Sequence, residues 1–225
     1  MRHKFNAVHV LISPDKFKGS LSAAQVCEAL EKGMKKRRPK TIFTKMPLAD
    51  GGEGTLEVIQ QLHGGNWITV DTFDPLMRPI QADYLYLADQ KTAYIEMARA
   101  SGLALLAEKE RNPLKTSTFG TGVLIADALK RGATQIILTI GGSATNDAGI
   151  GMAAALGWRF LDAKGAILET VGANLIQVAS ISAAEDAAII KLALSKLSPA
   201  ERAALVMWEV EGRSTAEIAK ELGIK

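Results

Sequence analysis

Gln135-Ile136-Ile137-Leu138-Thr139-Ile140-Gly141-Gly142-Ser143-Ala144-Thr145-Asn146-Asp147-Ala148-Gly149 decides how this chain folds. The first six residues are strand formers, and the small-residue run Met152-Ala153-Ala154-Ala155-Leu156 after the loop suits a helix. Strand, glycine loop and helix together turn free backbone N–H groups toward an anion at a positive helix end. Gly141 and Gly142 let the backbone approach a phosphate without a Cβ in the way. Ser143, Thr145 and Asn146 can add hydrogen bonds, and Asp147 can hold a metal or accept a proton. The plain alternative is a strand-to-helix turn whose polar residues are solvated.

Two further loops follow strands. Ser13-Pro14-Asp15-Lys16-Phe17-Lys18-Gly19-Ser20-Leu21-Ser22 comes after the apolar run Val8–Ile12. Pro47-Leu48-Ala49-Asp50-Gly51-Gly52-Glu53-Gly54-Thr55 lies between a strand at 41–46 and a helix at 55–62. In an open α/β sheet such loops gather at the carboxyl ends of strands, where ligands bind. They carry the lysines, carboxylates and glycines that phosphoryl transfer requires, although no Walker sequence is present. Lys16 and Lys18 can contact phosphates or a substrate carboxylate. They alternate along extended chain, and Lys18, beside Gly19, is the preferred catalytic candidate. Asp50 is a base or metal-ligand candidate. Glu53 either holds metal or favours a helix start. Arg99 offers a two-pronged donor to a carboxylate, with Ser101 beside it, or else forms a structural ion pair. Thr116, Ser117 and Thr118, with Gly120 and Gly122, suit a further phosphate or substrate loop, a cap for the helix at 120–131, or both.

The segments DKFKGSLSA, PLADGGEGT, IEMARASGL (Ile95–Leu103), RNPLKTSTFGTG (Arg111–Gly122) and GGSATNDAG, in this order, resemble the bacterial glycerate kinases. The resemblance runs from about residue 8 to 181 and corresponds to the amino-terminal part of that family; a later Asp-Val-Thr-Asn-Pro-Leu type motif has no counterpart. It implies ATP-dependent, Mg²⁺-dependent phosphorylation of D-glycerate, most often at the 2-hydroxyl. It also implies that the loops carrying Lys16, Lys18, Asp50, Glu53, Gly141, Gly142, Ser143, Thr145, Asn146 and Asp147 border the active cleft; Arg99, Ser101 and Thr118 are substrate candidates on their own chemistry.

From about Ser182 the chain resembles the DNA-binding fourth region of bacterial sigma factors. Ser198-Pro199-Ala200-Glu201 and Ser214-Thr215-Ala216-Glu217 read as capping boxes of two helices. The recognition helix that would follow has no counterpart, and base readout needs an element in the groove. This tail carries six basic against seven acidic residues, whereas a DNA-binding module is basic. Nucleic acid is therefore not an expected partner. The competing readings are an inactive hybrid and a polymerase- or DNA-directed fragment.

Alternation of strands and helices up to about residue 70 argues for α/β. From 67 to 97 the pattern becomes that of half-buried strands separated by turns. The expected architecture is a flavodoxin-like parallel sheet over 1–70, a second mixed α/β lobe over 71–181 and an all-helical tail over 182–225. A hairpin is expected at 158–161 and 166–168 around Asp162–Gly165. The 225 residues are 48% hydrophobic and 23% charged, the balance of a soluble globular chain. No membrane span is expected, and the single cysteine, Cys27, suits a reducing cytoplasm. An unpaired edge in the first sheet would invite pairing with a second copy, so a homodimer is an open expectation. The apolar positions of the tail need a partner surface, and the first lobe is the surface expected to provide it.

Overall fold

The computed structural model describes residues 8–17 and 19–183. Lys18 and the tail from 184 lie outside the described residues. Among the described residues the fold is mixed α/β, with one parallel, one mixed and one antiparallel sheet. Strand β1 (His9–Ile12) pairs in parallel with β2 (Ile42–Lys45), and helix α1 (Ala23–Arg37) crosses between them. Ser22 caps α1 in a capping box with Gln25, and Lys35, Lys36 and Arg37 sit at the negative end of its dipole. Cys27 lies on the buried face of this helix, with its Sγ 3.7 Å from the Ile12 carbonyl oxygen.

Helix α2 (Thr55–His63) leads into β3 (Asn66–Phe73), β4 (Pro79–Leu87) and β5 (Thr92–Glu96). These three strands form an antiparallel meander, and β6 (Gln135–Thr139) adds in parallel to β5. The period-2 alternation of β4 sorts its side chains. Ala82, Tyr84 and Tyr86 face a core that contains Ala93, Ile95, Leu124 and Ala128. Leu85 and Leu87 face the opposite way, against Leu56, Ile59, Trp67 and Tyr94. The four-stranded sheet is therefore covered on one face by α4 (Phe119–Lys130) and on the other by α2. Covering both faces explains why β5 is buried almost throughout.

Helix α3 (Ala98–Ser101) turns the chain sharply after β5, and α5 (Ile150–Ala155) begins just after the glycine loop that follows β6. A Cβ on Gly120 would overlap the Phe73 carbonyl, and one on Gly122 would come within 2.7 Å of the Met152 Cα. Only glycine lets α4 lie this close to β3 and α5.

The hairpin differs from the expectation. The Asp162–Gly165 turn forms, closed by the Asp162 N–H donating to Ala166 O at 2.9 Å. The returning arm keeps only a single bridge, Leu161 with Ile167. The regular partner of β7 (Trp158–Leu161) is instead β8 (Ser180–Ala183), antiparallel and four residues long. The turn signal was local and legible; the choice of partner strand was made by residues further along the chain.

Candidate active site

Three loops meet beside a cleft of about 670 Å³. Its wall includes Asp15, Lys16, Phe17, Leu48, Glu53, Glu57, Leu103 and Gly142. The loop before α2 and the loop after β6 touch backbone to backbone. The Gly141 N–H donates to the Gly51 carbonyl at 2.9 Å. A Cβ on Gly141 would lie 2.5 Å from the Gly52 nitrogen. Any side chain there would push the two loops apart.

Lys16 belongs to the first loop but reaches the second. Its Nζ donates to Asp50 Oδ1 at 3.0 Å, and Asp50 Oδ1 also accepts the Gly52 N–H at 2.9 Å. The Lys16 side chain is 14% exposed and that of Asp50 53%. Burial pulls the Lys16 ammonium down, but the Asp50 hydrogen bond and the nearby charges of Asp50, Asp15 and Glu53 outweigh it and hold the group above its ordinary value. The Lys16 hydrogen bond and the Gly52 N–H hold the Asp50 carboxyl below its ordinary range. The pair is thus a fixed cation and a fixed anion at neutral pH. Lys18 lies outside the described residues.

Glu53 is exposed on the cleft wall, close to Gly142. The loop after β6 runs alongside the segment that follows α3. Leu103 N–H donates to Gly142 O at 2.9 Å, and Ala144 N–H donates to Ser101 O at 2.8 Å. Ser143 Oγ lies 2.8 Å from Thr145 Oγ1 and accepts the Thr145 N–H. Asn146 is exposed.

Asp147 is placed differently from a free base or metal ligand. It is 1% exposed. Its carboxylate accepts from Thr118 N and Oγ1, both at 2.8 Å, from Gly149 N at 3.1 Å and from Gly151 N at 3.2 Å. These donors tie α4, α5 and the glycine loop together. Ala148, next to it, is held at φ +51°, a left-handed conformation that costs a non-glycine residue about 1–2 kcal/mol. Thr118 is likewise internal: its hydroxyl serves Asp147 and accepts the Met152 N–H at 2.9 Å, without capping α4.

Arg99 and Ser101 also point into the protein. Arg99 donates to Glu57 Oε1 at 2.5 Å, stacks 4.8 Å from the Trp67 ring centroid, and has Glu96 and Asp83 oxygens at 3.9 Å. Ser101 is fully buried, with its Oγ 2.7 Å from Thr121 Oγ1. The structural alternative for Arg99 describes its surroundings. Sequence reasoning passed over three acids here. Asp15, whose Oδ1 accepts the Lys16 N–H at 2.6 Å, and Glu57 both line the cleft. The third, Glu96, is a carboxyl at the end of a strand buried on both faces, and that was the available signal.

The glycerate kinase family model matches residues 10–196. The chain belongs to the glycerate kinase family. It is 48% identical over 172 residues to a glycerate kinase of Bacillus cereus, which covers 76% of this chain and 45% of that protein. It is 48% identical over 160 residues to a glycerate 2-kinase of Escherichia coli K12, covering 69% of this chain and 41% of that one. A solved structure described as a glycerate kinase 2 from Salmonella typhimurium LT2 superposes with a TM-score of 0.66 at 39% identity, over 96% of this chain and 60% of the other. The chain thus spans about half the length of the curated relatives it matches. The model of Sigma-70 region 4 matches residues 187–225, overlapping the end of the first match. Among the described residues no helix is long and apolar enough to cross a membrane.

Proposed function

We propose that the chain binds ATP and D-glycerate at this cleft and transfers the γ-phosphoryl group to the 2-hydroxyl, giving 2-phosphoglycerate. Family membership supports a kinase, and the glycerate 2-kinase among the relatives favours the 2-position. The observation that carries the reading is the Lys16–Asp50 pair beside the Gly52–Gly141 junction. A loose phosphoryl-transfer transition state needs charge neutralised and reactants aligned more than it needs covalent help from the protein. Lys16 supplies a permanent cation. The Gly141–Gly142 backbone leaves room for phosphate oxygens, with Ser143, Thr145 and Asn146 as further donors. Asp50, ionised and anchored, orients the attacking hydroxyl. Lys18 is assigned a second phosphate or carboxylate contact from its place in the sequence.

The residues fit Mg²⁺ arriving on the nucleotide. Among the described residues no group of three or more His, Cys, Asp or Glu could cage a metal. Mg²⁺ commonly takes one or two carboxylates plus substrate phosphates, and Glu53 is the carboxylate on the cleft wall. When bound, the ion neutralises phosphate charge. Asp147 is assigned a positioning role, holding the glycine loop from behind, and Arg99, Ser101 and Thr118 support the loops from within. A cytoplasmic setting accords with the lone cysteine.

The second reading is a catalytically inactive hybrid, favoured by the match of residues 187–225 to an unrelated family. Phosphorus NMR of a reaction with Mg·ATP and D-glycerate separates the two. A new 2-phosphate resonance supports the kinase; a 3-phosphate corrects the position; an unchanged spectrum favours the hybrid.

A further inference from the structure

Glu96 stands where an acid is costly. It ends β5 on the same face as Tyr94, the face that α2 covers with Leu56 and Ile59. It is 1% exposed, and an unpaired carboxylate in such a place would be shifted or neutralised. Its Oε2 accepts the Leu56 N–H at 3.4 Å. The N-cap of α2 is Gly54, at φ +91°, which has no side chain with which to cap the helix. The carboxyl of a strand forty residues away therefore satisfies a first-turn donor and faces the positive end of the helix dipole. Arg99 Nε lies 3.9 Å from the same oxygen, is buried, and has no hydrogen-bond partner among the described residues.

We propose that Glu96 is a positioning residue for the active cleft: it clamps the N-terminus of α2 and so fixes the backbone of Asp50–Gly54 against Gly141. Only its consequence for catalysis rests on the function proposed above; the clamp itself does not. Asp50 and Glu53 lie on five residues held by the Gly141–Gly51 backbone bond, by the Lys16–Asp50 pair and, at their carboxyl end, by the first turn of α2. Thr55 closes that turn locally, its Oγ1 donating to Gly52 O at 2.6 Å. Glu96 fixes it to the sheet. The charged groups facing Glu96 are Arg99 from α3 and Glu57 from α2, with Asp83 of β4 reaching it through Arg99. Burial raises the Glu96 carboxyl above its ordinary value, with Arg99 and the Leu56 N–H acting in opposition.

The test follows backbone amides of the full chain by NMR from about pH 4 to about pH 8. The Leu56 amide shift should titrate with an inflection above the ordinary glutamate value of about 4.3. Glu96→Gln should abolish that inflection yet keep the amide protected, because the carboxamide oxygen still accepts. Glu96→Ala should raise hydrogen exchange at residues 54–56 about tenfold or more, and calorimetry should find Mg·ATP binding weakened in the Ala variant and restored in the Gln variant. A Leu56 amide that does not titrate, or one that titrates unchanged in Glu96→Gln, overturns the clamp. If Glu96→Ala does not fold, the wild-type and Gln titrations still decide. If the wild-type chain binds no Mg·ATP, the functional reading fails while the amide readings judge the clamp independently.

Discussion

Gly141 lies against Gly52 so closely that a Cβ on Gly141 would sit 2.5 Å from the Gly52 nitrogen and 2.6 Å from its Cα. Both contacts are to backbone, which cannot rotate away as a side chain can. Gly141→Ala must therefore displace one loop. Overpacking of this kind costs about 1–3 kcal/mol, so thermal unfolding should shift down by several degrees. Mg·ATP affinity should fall further than stability does. Gly165→Ala is the control: no atom lies within 4 Å of a Cβ there, so only its left-handed φ of +80° is penalised, and nucleotide affinity should be unchanged.

Asp147 gathers four donors while buried. Asp147→Ala leaves the Thr118 and Gly151 N–H groups unsatisfied, and each such orphan costs about 1–3 kcal/mol. Urea denaturation should show a loss of about 3 kcal/mol or more. A loss below about 1 kcal/mol would mean that the carboxylate serves the ligand and not the fold.

The Lys16–Asp50 pair sets a pH signature. Asp50 is held below its unfolded value of 3.8, so its contribution to stability is present above that value and lost as pH falls through the folded pKa. Lys16 is held above 10.5, so its contribution is present below that value and lost as pH rises through the folded pKa. Neither window includes neutral pH. Because Asp50 is half exposed, Lys16→Met should cost less than about 1 kcal/mol while sharply weakening nucleotide or glycerate binding. Carboxyl NMR should find the Asp50 titration moved upward in the variant.

How much of this was legible in the sequence follows from how local each signal is. Ser22, three residues before Gln25, carries a local signal for the start of α1, and Gly64 one for the end of α2. The strand periods of 67–97 were written in alternating side chains. The three loops were readable because glycines and charges cluster in each. What could not be read was which polar side chains turn inward. Thr118, Ser101 and Asp147 have the composition of ligand-binding residues, yet long-range packing of α4 against α5 and α3 buries them. Glu96 escaped notice for the converse reason: its partner, the Leu56 N–H, is a backbone group forty residues earlier that leaves no mark in composition. The same holds for β8, whose pairing with β7 depends on where the chain returns after the 162–165 turn.

Arg99 provides a direct contrast between fold and substrate. Its guanidinium joins Glu57, approaches Glu96 and Asp83, and stacks on Trp67. A lysine cannot reproduce the planar fork or the stacking. Arg99→Lys should lower stability by about 1–2 kcal/mol, read by chemical denaturation, and leave glycerate affinity within about threefold. A large loss of glycerate affinity without loss of stability would return Arg99 to the substrate.

The central claim is tested most directly by coupled measurement of ADP release from Mg·ATP, with and without D-glycerate, for the chain and its Lys16→Met variant. Glycerate-dependent turnover is expected, falling at least about tenfold in a variant that remains folded. Absence of glycerate-dependent ADP release, or release unaffected by Lys16→Met, would contradict the central claim.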